Sequence, residues 1–218
     1  MTARLVRSIV QLLVGLFFYG FAIGMMVRAG LGVSPWDVFA QGLVNLTGVS
    51  FGWMTNIVGA LVLLLWIPIR QKPGIGTLVN VLLIGPSAEV GLAVVPQQTD
   101  LAAQILVFAG GLALLAVATG LYIGARFGPG PRDGLMTGLH QRTGLPIWLV
   151  RGAIELTVLG IGWVLGGTVG LGTVAFALLI GPMVNVTLPL LRVPERPSPE
   201  DPAAPRAATS PLVTESPS

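Results

Sequence analysis

The sequence predicts an all-α membrane protein built from two tandem repeats of inverted topology, each with three transmembrane helices and one short re-entrant half-helix. Three observations predict it: a composition too apolar for a soluble surface, a duplication in one fixed register, and basic residues that alternate between loops. Apolar residues make up 53% of the 218 and charged ones 10%, with a mean hydropathy of +0.84. A water-facing surface could not be covered from that supply. The net charge of +3 is spread singly at the ends of apolar runs, which marks topology and not a nucleic-acid face. With no cysteine in the chain, disulfides and thiolate metal sites are excluded.

The duplication centres on Gly30–Gly48, GLGVSPWDVFAQGLVNLTG, whose plan recurs at Gly128–Gly144, GPGPRDGLMTGLHQRTG. At an offset of about 96 residues Pro35 falls on Pro131, Asp37 on Asp133, Gly42 on Gly138 and Gly48 on Gly144. The same offset carries Gly74-x-Gly76-Thr77 onto Gly170-x-Gly172-Thr173, and Leu82–Pro86 (LLIGP) onto Leu178–Pro182. A tandem duplication follows, with residues 8–95 and 101–191 as the two membrane repeats.

Taken in order, six segments reach the roughly 20 apolar residues a bilayer demands: 8–27, 51–69, 74–95, 101–124, 145–166 and 169–191. The first has the basic start of a secretory signal but a long apolar run and no cleavage site, so it is read as an uncleaved span. The motif segments 35–46 and 131–142 are different, because about 18 Å of helix reaches only halfway across. Ser34 or Gly130 suits the N-cap, Pro35 or Pro131 the first helical position, Asp37 or Asp133 the third, and Gly48 or Gly144 the stop. Trp53 with Trp66, and Trp148 with Trp163, are spaced to place one ring near each interface. Glycine pairs at 20/24, 120/124 and 162/166 allow close helix crossings. From residue 193 to 218 the chain is proline-, serine- and alanine-rich and reads as a disordered tail.

Charge fixes the orientation. Arg4 and Arg7 place the N-terminus in the cytoplasm; three spans per half then put Arg70, Lys72, Arg126, Arg132, Arg142, Arg192, Arg196 and Arg206 on that side too. Residues 96–100 and 166–170 fall outside, with Arg28 alone on the less favoured face. Both termini are then cytoplasmic, and the odd number of spans inverts the second repeat.

Chemistry is expected where the two half-helices meet. Asp37 and Asp133, with Ser34, form either a cation- or proton-binding pair or two helix caps. Glu89, with Asn185 at the matching place, is either a carboxylate that binds a cation or carries a proton, or a buried group that locks packing. Gly85-Pro86 and Gly181-Pro182 are expected to kink or break the third span of each half, since proline removes a helix hydrogen bond. Arg151 and Glu155, four apart, read as a helix-locking ion pair or part of a substrate site. His140 reads as an interfacial histidine or a proton carrier. No cluster has metal-ligand or nucleophile–base spacing, so no metal, no cofactor and no enzymatic activity is expected.

The stretch GxGxSPWDVFAQGL at Gly30–Leu43, its partner at Gly128–Leu139 and the two LLIGP runs resemble the YitT/YczE family of bacterial inner-membrane proteins. The likeness covers residues 8–191, and without the further soluble domain of longer members it points to the short YczE-like branch. The resemblance implies an inner-membrane location and a duplicated fold, and it transfers no binding residue. The expected function is a small transporter or channel-like permease for an unidentified solute or ion, proton- or cation-coupled. The alternative is a non-transporting structural or regulatory accessory. The expected surroundings are the lipid bilayer, with homo-oligomerisation left open and no nucleic acid.

Overall fold

The computed structural model describes residues 2–193, so the tail beyond Val193 lies outside the described residues. Among those described the chain forms helices and no strands: α1 (Thr2–Ala29), α2 (Pro35–Thr47), α3 (Phe51–Leu64), α4 (Trp66–Ile69), α5 (Ile75–Val94), α6 (Leu101–Gly124), α7 (Pro131–Thr143), α8 (Ile147–Val164) and α9 (Leu171–Leu191). Six stretches are long and apolar enough to cross a membrane: α1 from Arg4, α3 with α4, α5, α6, α8 and α9. Their ends fall within a few residues of the hydropathy boundaries, because a change from apolar to turn-forming residues sets both. The α3–α4 joint was not foreseen. Pro68 has no N–H to give Leu64, and the chain tightens at Leu65, whose N–H reaches both Leu61 O and Val62 O.

α2 and α7 are 13 residues each, about 20 Å of helix against a hydrocarbon core of about 30 Å. Proline opens both, where its fixed φ suits the first turn and no N–H is missed. Gly48 and Gly144 close them at φ 70° and 69°, a left-handed geometry that glycine adopts without a Cβ penalty. The asparagine-free first turn of α2 is capped by Ser34, whose Oγ accepts from Asp37 N–H at 3.3 Å.

α1 and α6 lie along one another at the centre, α5 against α1, and α9 against α6. Glycines set these distances: Gly24 approaches Ala88 O of α5, and Gly120 and Gly124 approach Thr187 and Leu191 of α9. Each short helix packs on the other half of the chain. α2 runs along α8 and is tied to the following loop by Asn45 Nδ2–H to Gly166 O (2.9 Å) and Thr168 N–H to Gln41 Oε1 (2.8 Å). α7 lies on α3 and α4, where Arg142 Nε–H donates to Ile69 O at 3.1 Å. The loops ahead of them cross over as well. Gly76 N–H donates to Phe127 O (2.9 Å) and, at the same offset along the chain, Gly172 N–H donates to Leu31 O (2.7 Å).

Two expectations are corrected here. Trp66 is not an interface ring: it is 1% exposed, whereas Trp53, Trp148 and Trp163 are 67–71% exposed. Gly134 leaves room for its indole against α7, and Nε1–H donates to Pro131 O at 3.0 Å. Pro86 and Pro182 break nothing, since α5 and α9 run through them as continuous helices. At Pro86 the reason is a graft from α3. Asn56 Nδ2–H donates to Leu82 O (3.3 Å), the carbonyl that proline leaves without a helix donor, and Asn56 Oδ1 accepts from Gly85 N–H (2.9 Å).

Candidate functional site

A cavity of about 90 Å³ lies where α1, α2, α3, α5, α6, α7, α8 and α9 converge. The first turns of α2 and α7 both line it, with Ser34, Pro35, Trp36 and Asp37 from one and Gly130, Pro131, Arg132 and Asp133 from the other. Asn56 and Asn80 add amides, and Arg151 and Glu155 of α8 add a second pair of charges.

The two short helices meet through unlike residues. Arg132 lies 96 residues after Trp36, the offset that aligns the two motif stretches, and the guanidinium sits over the indole at 5.3 Å from its centroid, a cation–π distance. Arg132 Nη2 is also 3.5 Å from Asp37 Oδ1. Asp37 is buried, with a side chain 2% exposed, and its second oxygen, Oδ2, accepts from Ser34 Oγ–H at 2.5 Å. That leaves two buried polar atoms without a hydrogen-bond partner, Asp37 Oδ1 and Trp36 Nε1, both on a helix start that favours negative charge. Asp133 is held differently, accepting from Tyr122 O–H at 2.8 Å, while the Tyr122 ring stands edge-on to Tyr19. Glu155 Oε1 takes Arg151 Nε–H at 2.9 Å. Asp37 and Glu155 thus have arginine partners, whereas Asp133 has a hydroxyl and no cation within ion-pair distance among the described residues.

The sequence-derived candidates separate cleanly. Asp37, Asp133 and Ser34 line the cavity. Glu89 lies outside it: its Oε1 accepts from Gly52 N–H at 2.6 Å, capping the first turn of α3 where backbone donors lack helix partners. Asn185 is exposed on α9, Gly85 is buried in the α3–α5 contact, and Gly181, Pro86 and Pro182 lie outside the cavity lining. His140 is at the far end of α7, with Nδ1 2.6 Å from Leu145 O. Arg132, Trp36, Tyr19 and Tyr122 were missed as site residues. The signal for Arg132 was present, a charge in a repeat position where the first copy has tryptophan, whereas two tyrosines in apolar spans give no such sign. Among the described residues no three His, Asp or Glu side chains converge on a metal-sized site.

Residues 6–189 match a family of unknown function, DUF6198. An uncharacterised protein of Haemophilus influenzae is 37% identical over 192 residues, covering 88% of each chain. The uncharacterised membrane protein YczE of Bacillus subtilis is 34% identical over 177 residues, covering 80% of this chain and 82% of its own. The uncharacterised protein YyaS of the same organism is 25% identical over 182 residues, 82% of this chain and 90% of its own. No solved structure matches. Six apolar spans and relatives that run nearly end to end with it agree, and the chain belongs to the YczE-like membrane proteins of the DUF6198 family.

Proposed function

We propose that the chain is a small secondary transporter of the inner membrane, a permease of two inverted repeats with its polar site between them near the bilayer midplane. One observation carries the reading: a single cavity takes charged lining from both halves, at the first turns of two helices too short to cross a membrane. Charge at membrane depth is costly and is kept where a ligand or a path needs it. The reciprocal bonds Gly76–Phe127 and Gly172–Leu31 support a twofold relation between the halves, and three spans in each half turn that axis into the membrane plane. Lys72, Arg126 and Arg142 then face the cytoplasm. Arg28, on the other face, is occupied as a helix cap, with Nε and Nη2 donating to Leu92 O at 2.8 and 2.6 Å.

The cavity also supports a cargo class. With Asp37 matched by Arg132 and Glu155 by Arg151, Asp133 is the acid left to receive a cation or a proton. The unpaired Trp36 N–H offers a donor to an acceptor on the same solute. A small solute with a positively charged group fits both, and its uptake would be cation- or proton-linked. Purified protein in liposomes enclosing a pH-sensitive dye, challenged with small ammonium and zwitterionic solutes, should give a flux that Asp133→Asn abolishes at unchanged melting temperature. Full flux in Asp133→Asn removes that residue from the site. No flux for any solute, with a stoichiometric co-purifying protein, favours the accessory role instead.

A further inference from the structure

We infer that the gap between α8 and α9 is an open gate, that the α3–α5 seam is its closed counterpart, and that transport exchanges the two. This rests on the inverted-repeat reading above. The seam is built from four residues. Gly52 N–H donates to the Glu89 carboxylate and Asn56 bridges Leu82 O and Gly85 N–H, while Gly52 and Gly85 bring the two backbones into contact.

At the same offset the second half has Trp148, Gly152, Gly181 and Asn185, and no such seam. A Cβ placed on Gly152 or Gly181 would meet nothing within 4 Å, and Trp148 and Asn185 are exposed. Yet the local strings are the same, LLIGP in α5 and in α9. What differs is the partner: Asn56 is replaced by Gly152, which offers Leu178 O, freed by Pro182, no side-chain amide.

The gap belongs to the cavity, which Arg151 and Glu155 line from α8 and Phe176 from α9. Its direction follows from the connections. α8 and α9 are joined through residues 165–170, where the start of α9 is pinned to Leu31. Beyond the joint α8 packs on α2 and α7, α9 packs on α6, and a Cβ on Gly152 or Gly181 has no neighbour within 4 Å, so the gap opens toward Ile147 and Leu191. α3 and α5 are joined at their other ends, through residues 65–74, and their seam residues Gly52 and Glu89 close the far side. One face of the cavity is therefore open and the opposite face shut, and swapping the two packings between the halves opens the other. What fills the gap in the second state is the chain's own α9, brought onto α8 as α5 is brought onto α3.

Spin labels test this directly in a chain free of native cysteine. Leu156→Cys with Leu178→Cys reports across α8 and α9, and Leu61→Cys with Leu82→Cys across α3 and α5, by pulsed electron resonance in liposomes. The expected resting distribution is long for the first pair and short for the second, with a minor population of the reverse. Gly152→Asn, which places an amide in open space, should raise the short α8–α9 population roughly tenfold, the worth of one or two net hydrogen bonds, and lengthen the α3–α5 pair in step. Asn56→Ala should move both pairs the same way by loosening the opposite seam. One unchanged distribution in the resting protein and in Gly152→Asn overturns the gate, whether or not Asn56→Ala folds. The distances need no solute, so the two readings fail separately. Exchange without any flux keeps the gate and sinks the permease, whereas flux with fixed distances sinks the gate alone.

Discussion

Arg132 serves two neighbours at once, the Asp37 carboxylate at 3.5 Å and the Trp36 ring beneath it. Its partner is almost wholly enclosed, so removing the guanidinium strands a carboxylate in a poor dielectric, and that penalty exceeds the value of the pair itself. Arg132→Gln should therefore lower stability by about 2 kcal/mol, less than a fully dry pair loses, because the arginine side chain keeps 20% of its surface exposed. Adding Asp37→Asn to that variant removes the stranded charge and should recover most of the loss. Thermal unfolding in detergent of the two single variants and the double one measures the coupling; strictly additive losses would show that the two side chains do not sense each other. Ser34 would remain as the cap of α2 in all of them, since its Oγ accepts from the backbone of residue 37 whatever side chain stands there.

Spans were legible because each is a predominantly apolar run between turn-formers, and the two 13-residue helices because proline and glycine bracket them; observed and expected ends differ by a residue at Thr47 and Thr143. Which helix faces which was not legible. Trp66 reads from spacing as an interface ring, and only the absence of a side chain at Gly134, far along the chain, makes the socket that buries it. Glu89 reads as a membrane-embedded carboxylate, but what it does is set by Gly52 N–H on another helix. Such pairings depend on contacts between residues distant in sequence, and hydropathy carries no record of them. The socket yields its own prediction. A methyl at Gly134 would overlap Trp66 Cζ2, and an indole held between helices cannot step aside, so Gly134→Ala should cost about 1–3 kcal/mol by overpacking. Combining it with Trp66→Leu should return part of that loss, and melting curves that show no recovery would place the damage elsewhere on α7.

At the scale of the molecule, the outcome turns on whether the halves are related by an axis in the membrane plane. Thr47 and Thr143 are the sharpest pair of reporters, because they match at the 96-residue offset, end the two short helices, and bond alike, each hydroxyl donating to the carbonyl four residues back at 2.7 and 2.8 Å. Both are exposed, so Thr47→Cys and Thr143→Cys each put one reactive thiol on a chain that has no other. Inverted halves require the two thiols to label from opposite faces with an impermeant maleimide, Thr143→Cys from the cytoplasmic side beside Arg142 and Thr47→Cys from the other. Parallel halves put both on one face, and short helices that cross the bilayer would do the same by adding a fourth span to each repeat. Lys72→Cys and Thr99→Cys calibrate the two faces, since the loops they occupy follow an even and an odd number of long helices in any count that leaves α2 outside the set of spans. Labelling of 47 and 143 from the same face would remove the twofold exchange on which the permease reading and the paired gate both depend.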